Sequence, residues 1–211
     1  MKITKFAHSC LLVESSDQVA LFDPGNFSWE HGNFDINKLE RLDDLIITHE
    51  HQDHMHLPFI KEILMKFPKV RILSTASVAE QLAAHGIRAS TESNQETRVF
   101  KADHESLGPV GAAPQNIGVH YLNKLTHPGD CHHFSETMPI LALPMIAPWG
   151  SLVAALELSI RLKPRVIIPI HDFHYKSELM AGVYAMSKGI FAEQEIDFII
   201  PIDGQAFEIA D

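Results

Sequence analysis

The segment "LIITHEHQDH" (residues 45–54) places an apolar run directly before three histidines and an aspartate. An apolar run of this kind is typical of a short strand that is buried on both faces. His49 and His51 are two residues apart, so in extended backbone both side chains point to the same side and can reach one ion. Asp53 and His54 are adjacent and diverge, which suits a second ion nearby. Because imidazole nitrogen and carboxylate oxygen are ligands of zinc, iron and manganese, the segment predicts a metal site at a strand end.

The alternative is a polar surface loop in a histidine-rich protein, since the chain carries 14 histidines. Four metal-capable side chains within six positions, directly after a buried strand, favour the metal site.

The pattern around this segment predicts strands followed by strand–helix units, twice. Residues 26–43 are mixed and polar and are predicted to be a loop. The predicted strands are "KITKFA", "CLLVES", "QVALFD", "LIIT", "VRILST", "TRVFKA", "IGVHYLN", "KLTH", "MPILALP", "VIIPI", "FII" and "AFEI", and the predicted helices cover residues 58–67, 77–86, 152–159 and 176–188. This order indicates a mixed α/β layered fold.

Composition limits the classes of partner. The chain has 211 residues, 45% of them hydrophobic, and a formal net charge of −10. An acidic surface argues against broad binding to nucleic acid or to anionic membranes, and no basic groove with interleaved aromatic residues is present in the sequence. A small-molecule substrate is the expected partner.

The apolar stretch at residues 138–160 is long enough to suggest a membrane span, but Pro139, Pro144 and Pro148 interrupt it and Glu157 lies within it. A strand, a loop and a core-facing helix fit better, so no membrane span is expected. The N-terminus has no long apolar region of the kind found in signal peptides, and two cysteines do not form a disulfide framework. A reduced cytoplasm is the expected compartment.

Four motifs together resemble the metallo-β-lactamase superfamily. "THEHQDH" (48–54) resembles its H-x-H-x-D-H motif, and "KITKFAHSCLLVE" with "LFDPG" resembles the opening of its small metal-dependent hydrolase branch. "LTHPGDC" (125–131) resembles its H-x-G-D strand end, and "VIIPIHDF" (166–173) its closing strand and final histidine. The resemblance covers nearly the whole chain. It implies a four-layer αββα sandwich of two mixed β-sheets with outer helices, formed by a single domain over residues 1–211.

The resemblance also implies the roles of the residues in the first motif. His49 and His51 are expected to bind the first metal, and Asp53 and His54 the second. Asp53 is also the expected catalytic residue, which orients the attacking water and carries its proton.

The remaining ligands lie in the other motifs. By the resemblance, Asp130 bridges the two metals and His171 completes the second metal site. His104, in "KADHES" at the end of a predicted strand, is favoured as the third histidine of the first metal, with His120 and His127 as rivals.

Several neighbours have two possible roles. Asp23, in "LFDPG", resembles the superfamily's aspartate that accepts the other N–H of a metal-binding histidine, and its alternative role is a turn-forming residue. His8 can face the site or be a satisfied structural histidine. Cys131 is expected to pack in the core, with a metal ligand as the alternative. Phe27 and Trp29 are candidate substrate contacts or packing anchors.

The expected reaction is hydrolysis. Two divalent metal ions, zinc first with manganese or iron as alternatives, would supply a metal-bound hydroxide that cleaves an ester-like bond. The sequence contains no G-x-S-x-G nucleophile motif. By the resemblance the substrate is a lactone or a phosphodiester, and we expect it to be small and anionic. A non-catalytic metal-binding protein and a redox di-iron protein on the same fold are the alternatives.

Overall fold

Two six-stranded mixed β-sheets organise the chain in a computed structural model that describes residues 1–210. Each sheet lies in its own unit. The first unit comprises residues 1–92 and the C-terminal segment that begins at Pro201, and the second comprises residues 93–200.

The sheet of the first unit has the strand order β12-β1-β2-β3-β4-β5. The four strands β12, β1, β2 and β3 pair antiparallel, whereas β4 and β5 continue the sheet parallel to β3. Every residue of β4 is buried, as the apolar run predicts. The strands are β1 (Lys2–Lys5), β2 (Leu11–Glu14), β3 (Val19–Phe22), β4 (Asp44–Ile46), β5 (Arg71–Leu73) and β12 (Ala206–Glu208).

The sheet of the second unit has the order β11-β10-β9-β8-β7-β6. Here β6, β7 and β8 pair antiparallel, and β8 to β11 are parallel to one another. The predicted hairpin of "IGVHYLN" and "KLTH" is present as β7 and β8. The strands are β6 (Thr97–Lys101), β7 (Ile117–Tyr121), β8 (Leu125–His127), β9 (Ile140–Pro144), β10 (Val166–Ile170) and β11 (Asp197–Phe198).

Among residues 1–210, five α-helices lie in the connections between strands. The hydroxyl of Thr75 accepts a hydrogen bond from Val78 N and caps α3, and the hydroxyl of Ser151 caps α4 in the same way. The helices are α1 (Asn26–His31), α2 (Leu57–Lys66), α3 (Ala76–Ala83), α4 (Leu152–Leu162) and α5 (Ser177–Glu193), with short 3₁₀ turns at Ile36–Lys38 and Gly108–Val110.

The prediction of a loop over residues 26–43 is wrong in part, because α1 and a 3₁₀ turn lie within it. Contacts distant in sequence stabilise α1. The hydroxyl of Ser28 donates to the Ala7 carbonyl, and a Cβ at Gly32 would lie only 2.6 Å from the Phe6 carbonyl oxygen. Sequence periodicity does not report contacts of this kind.

The apolar stretch at residues 138–160 forms β9, a loop and most of α4, as predicted. Among residues 1–210, no helix is both long and apolar enough to cross a membrane.

His120, in β7, makes the stability of the second unit depend on pH. Its ring stacks on Phe100 with 4.3 Å between centroids, its Nδ1 lies 2.9 Å from Thr126 Oγ1, and burial lowers its pKa to about 4. In the unfolded chain a histidine titrates near pH 6.5. Between these two values the unfolded state binds the additional proton, so the free energy of unfolding falls as pH decreases from about 6.5 to 4, by up to about 3 kcal/mol.

We expect the substitution His120→Gln to make the free energy of unfolding less dependent on pH between about 6.5 and 4. Urea unfolding at a series of pH values measures this dependence. His85→Gln, which changes an exposed histidine, is the control and should retain the wild-type slope. An unchanged slope in the His120→Gln protein would contradict the prediction.

Candidate metal centre

The histidine cluster occupies the connection from β4 to α2. The backbone turns there, because the His51 carbonyl accepts hydrogen bonds from the N–H groups of both His54 and Met55. His49 is fully buried, and its Nε2 lies 3.1 Å from His51 Nδ1. The two imidazoles therefore meet, as their spacing in the sequence predicts.

Asp53, His54 and His8 form a second group in this unit. The sequence alone did not decide whether His8 faces the site. His8 Nε2 lies 3.1 Å from Asp53 Oδ2, and His54 Nε2 lies 4.0 Å from the same oxygen. The side chain of His8 is fully buried and packs edge-on against the ring of Phe27. His8 thus faces the predicted site.

The carboxylate of Asp23 joins Thr48, directly before the histidine cluster, to His54. Its fully buried carboxylate accepts hydrogen bonds from Thr48 N (2.7 Å) and Thr48 Oγ1 (2.9 Å). It also accepts the Nδ1 proton of His54 at 2.7 Å. This contact leaves the lone pair of His54 on Nε2, which is the arrangement found where a carboxylate orients a metal-binding imidazole.

Three further candidate residues lie in the second unit. His104 follows β6, Asp130 follows β8 and His171 directly follows β10. The Nε2 atoms of His104 and His171 lie 3.4 Å and 3.3 Å from the same oxygen, Asp130 Oδ2, and all three side chains are almost completely buried. His104 donates its Nδ1 proton to the carbonyl of Glu105 at 2.7 Å, so its Nε2 also carries the lone pair.

The donor atoms and their spacing fit a divalent cation. Ligands at about 2.0–2.1 Å from a tetrahedral zinc ion lie about 3.3–3.4 Å apart, which matches the His104–Asp130 and His171–Asp130 separations. Charge-assisted N–H···O hydrogen bonds are shorter, at about 2.7–2.9 Å. The imidazole and carboxylate donors of the second unit are therefore spaced to bind a metal ion.

Three residues of these groups have a left-handed backbone, as do six other non-glycine residues among residues 1–210. His8, Asp23 and His171 have φ angles of 52°, 45° and 59°, in the left-handed region that side chains with a Cβ rarely adopt. Such conformations cost about 1–3 kcal/mol each and tend to occur at functional sites.

The two rivals of His104 have other contacts in the second unit. His120 contacts Thr126 and Phe100. His127 is fully buried in β8, and its Nδ1 accepts a hydrogen bond from Gly129 N at 3.3 Å. The structure thus brings His104 next to Asp130.

Trp149 is a residue of this region that the sequence reasoning missed. Its indole contacts the rings of His104 and His171 from the loop between β9 and α4. The signal available in the sequence was an aromatic residue between Pro148 and Gly150, in a loop next to a predicted strand end.

Other candidates have structural roles. Cys131 packs in the core of the second unit, and burial raises the pKa of its thiol to about 11, which disfavours the thiolate that a metal ligand requires. Trp29 packs against the rings of His56 and Phe59.

Comparison with known proteins identifies the family. Residues 2–171 match the model of the beta-lactamase superfamily domain, so the chain belongs to that family. It is 30% identical to protein Rv0786c of Mycobacterium tuberculosis, over 82% of this chain and 84% of that protein.

Solved structures show the same fold. Igni18, a metallo hydrolase from Ignicoccus hospitalis, superposes with a TM-score of 0.70 at 19% identity and covers 99% of both chains. CmlA, a diiron β-hydroxylase from Streptomyces venezuelae, gives a TM-score of 0.66 at 14% identity, over 99% of this chain and 54% of that one. The predicted α/β fold class and membership of the superfamily are confirmed.

Gly25 allows the β3–α1 segment to lie against the histidine cluster. A Cβ at this position would stand 1.8 Å from the carbonyl oxygen of Asp53, a backbone atom that cannot rotate away. Two backbone hydrogen bonds join the same segments, from Asn26 N to Gln52 O and from His56 N to Pro24 O. We expect Gly25→Ala to lower the free energy of unfolding by about 2–3 kcal/mol and to weaken metal binding.

Thermal unfolding and metal titration of the Gly25→Ala protein check this prediction. Gly182→Ala is a matched control, because a Cβ there meets nothing within 4 Å. Wild-type metal affinity in the Gly25→Ala protein would show that the close approach does not shape the site.

Proposed function

We propose that this protein is a metal-dependent hydrolase with a binuclear centre that cleaves an ester-like bond. The observation that carries the proposal is the presence of an imidazole–carboxylate group in each unit, whose histidines His54 and His104 are oriented by hydrogen bonds on Nδ1. Membership of the beta-lactamase superfamily and the shared fold with metallo hydrolases support it.

The proposed ligand set follows the family's motif. His49, His51 and His104 would hold the first cation, and Asp53, His54 and His171 would hold the second. Asp130 would be a ligand of both. Cations held there would lower the pKa of a water molecule and polarise a carbonyl or phosphoryl oxygen. Zinc is the proposed metal, with manganese and iron as alternatives.

Side chains of the protein orient the attacking water and the proposed ligands, and take up the proton. Asp53 is the proposed catalytic residue, which orients the attacking water and takes up its proton. His8, at 3.1 Å from Asp53 Oδ2, fixes the direction of that carboxylate. Asp23 prevents His54 from rotating by accepting its Nδ1 proton.

The proposed substrate is a small, anionic lactone or phosphodiester. The loop that follows His171 ends at the N-terminus of α5, where Lys176 is exposed. A helix N-terminus and an ammonium group both favour an anion. The chain's net charge of −10 disfavours nucleic acid as substrate.

The organisation that we propose is one domain over residues 1–211, since the family match from residue 2 to 171 extends across both units. We also propose a cytoplasmic location, which the two buried free thiols of Cys10 and Cys131 support.

A hydrolysis screen tests the proposed function. Metal-free protein is reconstituted with zinc or manganese and assayed on panels of lactones, phosphodiesters and thioesters. Turnover that requires the metal and favours lactones or phosphodiesters supports the proposal, and turnover that persists in metal-free protein refutes it. Protein purified with bound iron, visible absorption and no hydrolase activity would instead favour the redox di-iron alternative.

A further inference from the structure

Trp149 lies against three histidines of the second unit. Its ring is 4.9 Å from that of His171, 5.7 Å from that of His104 and 5.6 Å from that of His132, measured between centroids. The contacts with His171 and His104 are edge-on, with interplanar angles of 68° and 62°. Edge-to-face packing of this kind is favourable for aromatic rings and defines their relative orientation.

The backbone on which Trp149 lies is a closed turn. Ala147 N donates to the Gly150 carbonyl at 3.3 Å, and Gly150 N donates back to the Ala147 carbonyl at 3.2 Å. Pro148 and Trp149 form the tip between these two hydrogen bonds, and the φ angle of Pro148 is restricted by its ring. The turn therefore defines the direction in which the indole leaves the chain.

His132 supports the indole from another direction. Its Nε2 donates to the Pro144 carbonyl at the end of β9, at 2.8 Å, so its ring is anchored to the sheet. Gly150 lies close beside it, since a Cβ there would be 3.1 Å from His132 Cε1. Trp149 thus lies between an anchored histidine and two of the proposed metal ligands.

We infer that Trp149 is a positioning residue, which orients the imidazoles of His104 and His171 so that both Nε2 atoms converge on Asp130 Oδ2. The inference rests on the proposed metal centre. The effect is expected to be larger at His171, because its ring is closer to Trp149 and its backbone has a positive φ of 59°. His104 has an additional restraint in its hydrogen bond to Glu105 O.

Binding of Co²⁺ alone to the metal-free full chain tests this role. The expected result for Trp149→Ala is a roughly ten-fold weaker affinity at one of two Co²⁺ sites, the size typical of losing a group that orients a metal ligand. The visible absorption of bound Co²⁺, which reports ligand geometry, should change as well. Trp149→Phe keeps an aromatic edge and should restore most of the affinity and the spectrum. Trp149→Leu replaces the alanine variant if the latter does not fold.

Fluorescence gives an independent readout, because Trp29 and Trp149 are the only two tryptophans. Co²⁺ should quench a larger fraction of the emission in Trp29→Phe, which retains Trp149, than in Trp149→Phe. Equal or reversed quenching would overturn the inference, and so would an alanine variant with wild-type affinity and spectrum. Wild-type protein that binds no Co²⁺ would instead refute the proposed metal centre itself.

Discussion

Replacing Asp130 with asparagine is expected to abolish the metal binding that depends on this proposed ligand of both cations. It is also expected to lower hydrolytic turnover by roughly 10³-fold. One oxygen of Asp130 lies 3.3 Å and 3.4 Å from two imidazoles, so a single substitution affects both proposed cations. Asparagine keeps the volume of the side chain but removes the negative charge that would balance the metals. Metal content by elemental analysis and turnover on the best substrate of the screen are the two measurements.

The unfolding temperature of the Asp130→Asn protein distinguishes loss of a metal ligand from misfolding. In metal-free protein the Asp130 carboxylate is buried in the second unit, and removing a charged group from water is costly. The Asp130→Asn protein should therefore unfold at the same temperature as metal-free wild type, or higher. Asp197→Asn, at an exposed position at the start of β11, serves as the control and should bind metal normally. Full metal content and turnover in Asp130→Asn would refute the bridging role.

Replacing Asp23 with asparagine is expected to weaken metal binding at His54 by roughly 10–100-fold. It should also lower the free energy of unfolding by about 2–4 kcal/mol. The carboxylate accepts three hydrogen bonds in a fully buried position, two from Thr48 and one from His54. An amide can accept at only one of its two polar atoms, so its NH₂ group would face buried donors.

The matched control for Asp23 is Asp43→Asn. Asp43 also accepts a backbone N–H, that of Val19 at 2.9 Å, but its other partner is Arg41 and it contacts no proposed ligand. We expect a smaller loss of stability and wild-type metal affinity in this variant. If both variants reduce metal affinity equally, the effect of Asp23 is general destabilisation and not orientation of His54.

Much of the fold could be predicted because its elements are signalled locally. β4 is an uninterrupted apolar run, and α2 begins with a proline in its first turn and places Phe59, Ile60 and Ile63 on its buried face. The short helix α1 could not be predicted in this way. It depends on the contact of Ser28 with Ala7 and on the close approach of Gly32 to Phe6, which no periodic pattern encodes.

Spacing was sufficient to predict proximity where the candidate ligands are close in sequence. His49 and His51 meet, although the backbone bends at Glu50 and His51 and does not stay extended. The choice among His104, His120 and His127 required the pairing of β6, β7 and β8, which places His120 beside Thr126 and leaves His104 next to Asp130. The role of His104 as a metal ligand stays a prediction.

By itself, the sequence determined the family, the order of the strands and of every α-helix except α1, and the residue types of the candidate ligands, since these depend on residue identity and short-range spacing. Only the tertiary structure decided that His8 faces Asp53, that Asp23 accepts a proton from His54, and that Trp149 packs against two candidate ligands. The physical reason is that each of these contacts joins residues more than 20 positions apart. Their distance is therefore determined by sheet pairing and positive-φ turns, which a local pattern does not encode.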